Sequence, residues 1–173
     1  RCSRADPRYP ETRRLGAEYL ANMLQQYRQN GEHVVSVGDY NAFQFNDGYV
    51  DVIGTIVGAP TPATQVLIAS PDLVDPNFTD LIDFAPPAER YSYIETGNAQ
   101  AIDHVIVSPN MLPRFGAIAY GRTNADFPYD YTTDATRPER ASDHDPVVAY
   151  FTFPTADLSV TASSAPANPV LSG

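Results

Sequence analysis

Lysine is absent from the sequence: the 11 basic residues are all arginine, and against 21 acidic residues they leave a formal net charge of −10. Because an acidic protein repels a phosphate backbone, this composition excludes a nucleic-acid binder that relies on surface charge alone. Phosphate binding stays open through a divalent cation that neutralises clustered carboxylates, or through positive charge on another part of the protein. Acidity that only keeps a secreted protein soluble is the alternative interpretation.

Long apolar runs and cysteines are also scarce. No stretch approaches the roughly 20 apolar residues of a membrane-spanning helix, so the sequence predicts no membrane span, and its first residues show no signal-peptide pattern. Cys2 is the only cysteine, which excludes a disulfide within the chain and leaves a free thiol or a partner upstream of Arg1. With 173 residues, 43% of them hydrophobic, the chain is long enough for one domain with a core.

The first part of the chain is predicted to form a helix followed by a strand. The helix is expected from about Glu11 to Asn30, with Pro10 near its start and Gly31 as a stop signal. Its predicted core-facing stripe has three-to-four spacing and consists of Leu15, Tyr19, Leu20, Met23, Leu24 and Tyr27. The β-branched run HVVSVG, which ends at Gly38, predicts a buried strand, and this succession is typical of an α/β domain.

The rest of the chain is predicted to alternate strands and loops. Residues 47–58 are read as a short helix, residues 59–88 as a proline-rich surface excursion with one short strand, and residues 121–141 as a polar loop. Further strands are expected at Arg90–Glu95, Ala101–Ser108, Phe115–Tyr120 and Pro146–Phe153. Residues 155–173 read as a linker or as the opening of another module, because they resemble the first strand of immunoglobulin-like repeats on bacterial surface proteins.

Three short segments carry side chains suited to phosphate chemistry: Gly38–Ala42 (GDYNA), Ile102–Val105 (IDHV) and Ser142–Pro146 (SDHDP). Each lies beside a predicted strand, and ligands of α/β sheets usually bind at strand ends and in the adjoining loops. Carboxylate, amide and imidazole groups suit a hard cation and a phosphate. Taken singly, each segment also fits a structural role: a turn-forming aspartate, an asparagine in a left-handed turn or a hydrogen-bonded Asp-His pair.

Taken in order, the segments resemble the motif series of the DNase I-like endonuclease/exonuclease/phosphatase family, G-D-x-N-A, I-D-H-V and S-D-H-x-P-V. The resemblance covers roughly residues 10–153. Residues 124–128 (NADFP) and the helix start PETRRLGAEYL are similar to the extracellular bacterial nuclease branch. The implied fold for residues 1–154 is the carboxyl-terminal half of a four-layer α/β sandwich, in which two packed mixed β-sheets are flanked by helices.

The resemblance implies roles for five residues. Asp39 matches an aspartate that positions or activates the attacking water and contacts the metal, and Asn41 matches an asparagine that hydrogen-bonds the scissile phosphate. Asp143 matches a metal-site aspartate, and the implied cofactor is Mg²⁺, with Ca²⁺ and Mn²⁺ left open. His144 matches a histidine that contacts the phosphate as acid, base or transition-state stabiliser, and Asp103 matches the aspartate that orients it. A carboxylate that fixes an imidazole tautomer is a general device, so an Asp103–His144 hydrogen bond is predicted.

Other candidates lie near these motifs. Tyr93 and Tyr91 share one strand face and are candidates for stacking on a base or ribose, with core packing as the alternative. His104 follows Asp103 in a strand and is predicted to point to the opposite face, in a non-catalytic role. Asp145 is expected in a solvated loop position rather than at a metal. The arginines of the later loops are expected to solvate the surface, although they are able to hold phosphates; they are Arg90, Arg122, Arg137 and Arg140.

Part of the family pattern is missing. The family places a metal-binding glutamate, an early asparagine and a further histidine or tyrosine ahead of G-D-x-N, whereas Glu11, Glu18 and Glu32 lie in or beside the predicted helix. We therefore expect the amino-terminal half of the domain to be a required partner, and the chain alone to be inactive and poorly stable. The predicted function is extracellular or cell-surface hydrolysis of DNA or RNA. A phosphatase or sphingomyelinase-type phosphodiesterase and a non-catalytic adhesion module are the alternatives.

Overall fold

The computed structural model describes residues 8–154, so the linker or further module predicted for residues 155–173 lies outside the described residues. Helix α1 (Arg8–Gln29) begins slightly earlier than predicted. It stops before Gly31, whose φ of 82° lies in the left-handed region that glycine adopts most freely. Its buried face is formed by Ala17, Ala21 and Leu24. The predicted apolar stripe is wrong in part, because its members Leu15, Tyr19 and Tyr27 are exposed. Small residues occupy the contact face because α1 packs closely against a second helix.

The second helix, α2 (Val52–Val57), confirms the short helix predicted for this region. Asp51 caps its first turn by accepting a hydrogen bond from the Gly54 amide. Gly58 ends it with a φ of 85°, where an added Cβ would lie 2.3 Å from the Val74 carbonyl oxygen. Only glycine is therefore tolerated at this position without a shift of the backbone.

Seven strands are present among the described residues: β1 (Val35–Asp39), β2 (Thr79–Asp80), β3 (Tyr93–Glu95), β4 (Asn98–Gln100), β5 (Asp103–Val107), β6 (Phe115–Tyr120) and β7 (Val147–Phe151). They form three small antiparallel sheets: β1-β5-β2, the hairpin β3-β4 and the pair β6-β7. The chain is thus a mixed α/β protein. Strand β4 was not predicted; the Thr96-Gly97 turn that creates it has positive φ at both residues, the geometry of a tight hairpin.

Strand β5 separates two apolar cores. Ile106 faces the core formed with α1 and α2, while Val105 and Val107 face a second core that includes Ile118 and Tyr120 of β6. The alternation of side chains along a strand explains this division. Helices therefore cover one face of the β1-β5-β2 sheet, and the β6-β7 pair packs on the other. No helix among residues 8–154 combines the length and the apolar character that crossing a bilayer requires.

Three predictions about burial are wrong. Strand β1 was expected to be buried, but Val35 is 38% exposed and Val37 is 66% exposed. Their register partners Val107 and Val105 are buried, so the cover provided by the second core ends at β5. Strand β7 is also only half buried. Conversely, the predicted surface excursion contributes core residues, because a 3₁₀ turn at Leu81–Phe84 inserts Leu81 and Ile82 beside β5.

Candidate functional site

The candidate site begins at the ends of two paired strands. Asp39, the last residue of β1, lies opposite Asp103, the first residue of β5. Directly opposed residues of an antiparallel pair project from the same face with Cβ atoms about 5 Å apart. Two carboxylates from distant parts of the sequence are thereby placed side by side. Asp39 is exposed and Asp103 is half-buried, so the pair lies at the mouth of the sheet rather than inside it.

His144 joins this pair from the loop that precedes β7. Its Nδ1 atom lies 2.7 Å from Oδ2 of Asp103, which confirms the predicted hydrogen bond. Because an ionised carboxylate only accepts, Nδ1 carries the proton, and Nε2 of the neutral ring is left as the acceptor. The arrangement is that of an oriented general base.

Ser92 was not predicted as a site residue, yet it holds Asp103 in place. Its hydroxyl donates to Oδ2 of Asp103 at 2.6 Å, and the serine is completely buried. The carbonyl of Ser92 also accepts the amide of Asp145 at 2.7 Å, so the same residue ties down the loop that carries His144. No local pattern marks this serine, since both of its partners are distant in sequence.

Three side chains, those of Asp39, Asp103 and His144, form what we call the cation group. Each brings one ligand atom, and these atoms lie within 4.8 Å of one another. Two carboxylates are the hard oxygen ligands that Mg²⁺, Mn²⁺ and Ca²⁺ prefer. A hexacoordinate cation needs more oxygen ligands than these, from water, from a phosphate or from another protein segment. Asp143, the predicted metal-site aspartate, is exposed and is not part of this group.

Asn41 fixes the orientation of Asp39. Its φ of 47° is left-handed, and this turn lets its backbone amide donate to Oδ1 of Asp39 at 2.7 Å. Its side-chain amide donates to Oδ2 of Asp39 at 2.8 Å. An amide nitrogen has two hydrogens, so one donor of Asn41 remains for a further acceptor. The turn-forming and functional interpretations of this motif are therefore compatible.

Asp145 supports the loop of His144 from beneath. The prediction of a solvated position is wrong, because Asp145 is 2% exposed. One of its oxygens accepts three consecutive backbone amides, those of Thr123, Asn124 and Ala125. These three hydrogen bonds fix the loop at residues 123–125 to Asp145.

Arg122 neutralises the buried charge of Asp145. Its Nη1 atom lies 2.9 Å from Oδ2 of Asp145, and its guanidinium also donates to the carbonyls of Glu89 and Tyr91. The guanidinium stacks 3.5 Å from the centre of the Tyr91 ring. Arg122 is therefore a structural residue, and neither the phosphate-binding nor the surface-solvating prediction describes it.

His104 lies on the opposite face of β5, as predicted, and is 1% exposed. Burial lowers the pKa of His104, but the hydrogen bond and charge of Asp80, the Ala42 carbonyl and the charge of Asp103 outweigh burial and raise this pKa above its ordinary value. The raised pKa favours the imidazolium form. His104 contributes to the structure around the site and does not face the cation group.

Tyr93 lies beside His144, with ring centres 4.9 Å apart. Its hydroxyl donates to Glu95 at 2.7 Å, and this hydrogen bond, together with burial and the charges of Glu95 and Asp143, raises the pKa of Tyr93. The core-packing alternative is not observed, since the ring is partly exposed. Tyr93 and Asn41 also line a cleft of about 570 Å³ that extends away from the cation group.

The chain matches no known protein family, no curated protein and no solved structure. The resemblance to the endonuclease/exonuclease/phosphatase family therefore stays a prediction that rests on the motifs and on the geometry described above.

Proposed function

We propose that this chain provides part of the active site of a divalent-metal-dependent phosphodiester hydrolase, an extracellular or cell-surface nuclease that cleaves DNA or RNA. The observation that carries the proposal is the convergence of Asp39, Asp103 and His144 from three distant segments, with Nδ1 of His144 2.7 Å from Asp103. Each of these residues was singled out by a separate motif.

The residues fit the chemistry of phosphodiester hydrolysis. Bound Mg²⁺ would neutralise charge on the phosphate and lower the pKa of a coordinated water. Asp39 is exposed and held by Asn41, so it is placed to hold the cation or orient a water molecule. Asn41 keeps one amide hydrogen for a phosphate oxygen. His144 presents Nε2 for proton transfer while Asp103 fixes its tautomer.

A second part of the proposal concerns what completes the site. The cation group lacks the number of oxygen ligands that Mg²⁺ requires, and β1 leaves Val35 and Val37 exposed at the edge of its sheet. Long apolar edge strands are normally covered, because they otherwise pair with other chains. We propose that the amino-terminal half of a four-layer sandwich, expected from the resemblance, covers this edge and supplies the remaining ligands.

The test is a hydrolysis assay on the complete gene product that contains this chain. Single-stranded and duplex DNA, RNA, sphingomyelin and a phosphomonoester are compared with Mg²⁺ and with a chelator. We expect metal-dependent cleavage of nucleic acid, and a loss of about 10²–10⁴-fold in kcat for His144→Ala. Asp130→Asn is the matched control, because Asp130 is an exposed carboxylate outside the cation group.

Three results would contradict this proposal. Preferential cleavage of sphingomyelin or of the phosphomonoester would favour the phosphatase or phospholipase alternative. Undiminished hydrolysis by His144→Ala would remove His144 from the mechanism, and no hydrolysis of any substrate by the wild-type protein would favour an adhesion module.

A further inference from the structure

The cleft beside the cation group starts at two residues that contact the group itself. Asn41 donates to Asp39, and Tyr93 packs on the ring of His144. Both residues line the cleft of about 570 Å³. A substrate whose phosphorus lies at the cation group therefore has its adjoining substituent directed at this cleft, which is large enough for a planar bicyclic ring.

Aromatic rings form much of the cleft wall. Phe43 and Phe45 stack on each other, with ring centres 5.2 Å apart and an interplanar angle of 16°. Phe45 is nevertheless 60% exposed, and Tyr49 on the same wall is 43% exposed. Aromatic rings this exposed beside the cation group have a free flat face, and the stacking of bases on such faces is one of the ways in which proteins hold single-stranded nucleic acids.

Polar groups complete the cleft. Gln100 brings a side-chain amide, which both donates and accepts hydrogen bonds as base edges do, whereas the amide of Asn46 is already bonded to Gly48 and Thr61. Arg13 forms an ion pair with Asp47 and donates to the carbonyl of Asn41 at 3.3 Å, so it fixes the cleft wall to the loop of the cation group.

We propose that this aromatic cleft, defined by Asn41, Phe43, Phe45, Tyr49 and Tyr93, binds the nucleobase next to the scissile phosphate. The inference rests on the proposed hydrolase function and narrows its substrate class to nucleic acids or nucleotides. Recognition by stacking is also consistent with the net charge of −10, because it does not depend on contacts between basic side chains and the phosphate backbone.

A quaternary ammonium head group is the competing occupant, since aromatic cages bind such cations. The geometry favours the base. The two phenylalanine rings are nearly parallel and offer a flat outer face, whereas an aromatic cage surrounds its cation with rings at steep angles to one another. The amide of Gln100 matches the edge of a base, whereas a trimethylammonium group offers it no hydrogen-bonding partner.

The experiment measures how the complete gene product cleaves two oligonucleotide substrates. One is intact, and the other has abasic residues flanking the cleavable phosphates. Phe45→Ala is expected to lower kcat/KM about 5- to 140-fold on the intact strand, the equivalent of losing one stacked base. It is expected to change kcat/KM on the abasic strand less than twofold. Phe45→Trp should restore cleavage of the intact strand.

Phe84→Ala is the matched control, because Phe84 is 55% exposed and also packs on a neighbouring phenylalanine, but lies outside the cleft. An equal effect of Phe45→Ala on both strands, or no effect on either, would overturn the inference while leaving nuclease activity in place. The inference would also be overturned if the protein cleaved sphingomyelin and if both added choline and Phe45→Ala reduced that cleavage. The cleft would then bind a quaternary ammonium group. Equilibrium titration with a nucleoside monophosphate separates base binding by the cleft from the proposed hydrolase function. If Phe45→Ala weakens this binding, the cleft binds a base even where the protein hydrolyses no substrate.

Discussion

The Nδ1 atom of His104 lies 2.6 Å from Oδ2 of Asp80. Its Nε2 atom lies 2.9 Å from the carbonyl oxygen of Ala42, in the G-D-Y-N-A segment. A carboxylate and a carbonyl both accept hydrogen bonds, so the ring satisfies both partners only when both nitrogens carry protons. A charged histidine in the sheet thus ties the loop of Asn41 to β2 and β5, on the face opposite the cation group.

The first prediction concerns the dependence of stability on pH. The folded-state pKa of His104 is raised above the unfolded value of about 6.5. Its stabilising contribution is therefore fully present below about pH 6.5 and is lost as the pH rises through the raised pKa. His104→Gln should reduce the free energy of unfolding by about 3–5 kcal/mol at pH 6, because Asp80 loses its charged partner. The difference from wild type should narrow toward pH 9.

Urea titrations of the complete gene product at a series of pH values measure this difference. His33→Gln is the control, because His33 is an exposed histidine that takes no part in the Asp80–His104 pair. A gap between wild type and His104→Gln that stays constant from pH 6 to pH 9 would show that His104 is neutral in the folded protein.

The second prediction concerns Asp145. Asp145→Ala leaves three backbone amides without their acceptor and removes the buried carboxylate that pairs with Arg122, so the free energy of unfolding should fall by about 3–5 kcal/mol. Activity should fall as well, because Asn124, one of the residues held by Asp145, donates to the carbonyl of His144 at 2.7 Å. Thermal unfolding and kcat are measured together, with Asp130→Ala as the exposed control. A stable Asp145→Ala protein would refute the supporting role.

The third prediction assigns Ser92 as a positioning residue. Ser92→Ala removes one of two hydrogen bonds to Oδ2 of Asp103 and leaves that oxygen short of a donor. A loss of about 1–3 kcal/mol corresponds to a decrease of roughly 5- to 150-fold in kcat. KM should stay near the wild-type value, because Ser92 acts on the site through Asp103 and does not line the cleft beside it.

Ser36→Ala is the control for Ser92, since Ser36 forms an equally short hydrogen bond to Tyr40 on the other sheet face. If Ser92→Ala raised KM and left kcat unchanged, Ser92 would act on substrate binding and the positioning role would be wrong.

The sequence predicted the local elements of the site better than their surroundings. Strand β6 has the predicted bounds, and β5, which carries the β-branched run VIV, lies within its predicted range. The approach of Asp39 to Asp103 followed from motif resemblance alone, since strand register depends on contacts distant in sequence.

Supporting residues were missed for the same reason. Ser92, Arg122 and Asp145 come from three separate segments; Ser92 lies in a predicted strand and the other two in predicted loops, and no local pattern shows that they meet. The predicted burial was wrong at β1 and in part of α1. An apolar side chain is able to be buried, but whether it is buried depends on the neighbours that pack against it in the folded protein.

The last prediction tests the open edge of the sheet. If the proposed amino-terminal half covers β1, Val37 is buried in the complete gene product, although it is 66% exposed here. Val37→Lys should then destabilise the complete protein by about 3–5 kcal/mol by burying an unpaired charge. In the isolated 173-residue chain the same change should reduce self-association, since charges on an edge strand oppose pairing with other chains.

A complete protein that is destabilised by Val37→Lys, together with an isolated chain that self-associates less, distinguishes a covered edge from an ordinary exposed strand. Leu67→Lys serves as the control, because Leu67 is 69% exposed and lies outside the strands, so neither protein should respond. Urea unfolding of the complete protein and analytical ultracentrifugation of the isolated chain give the two readings. A complete protein that tolerates Val37→Lys as well as Leu67→Lys would mean that nothing packs on β1, and the remaining ligands of the cation would then have to come from water and substrate.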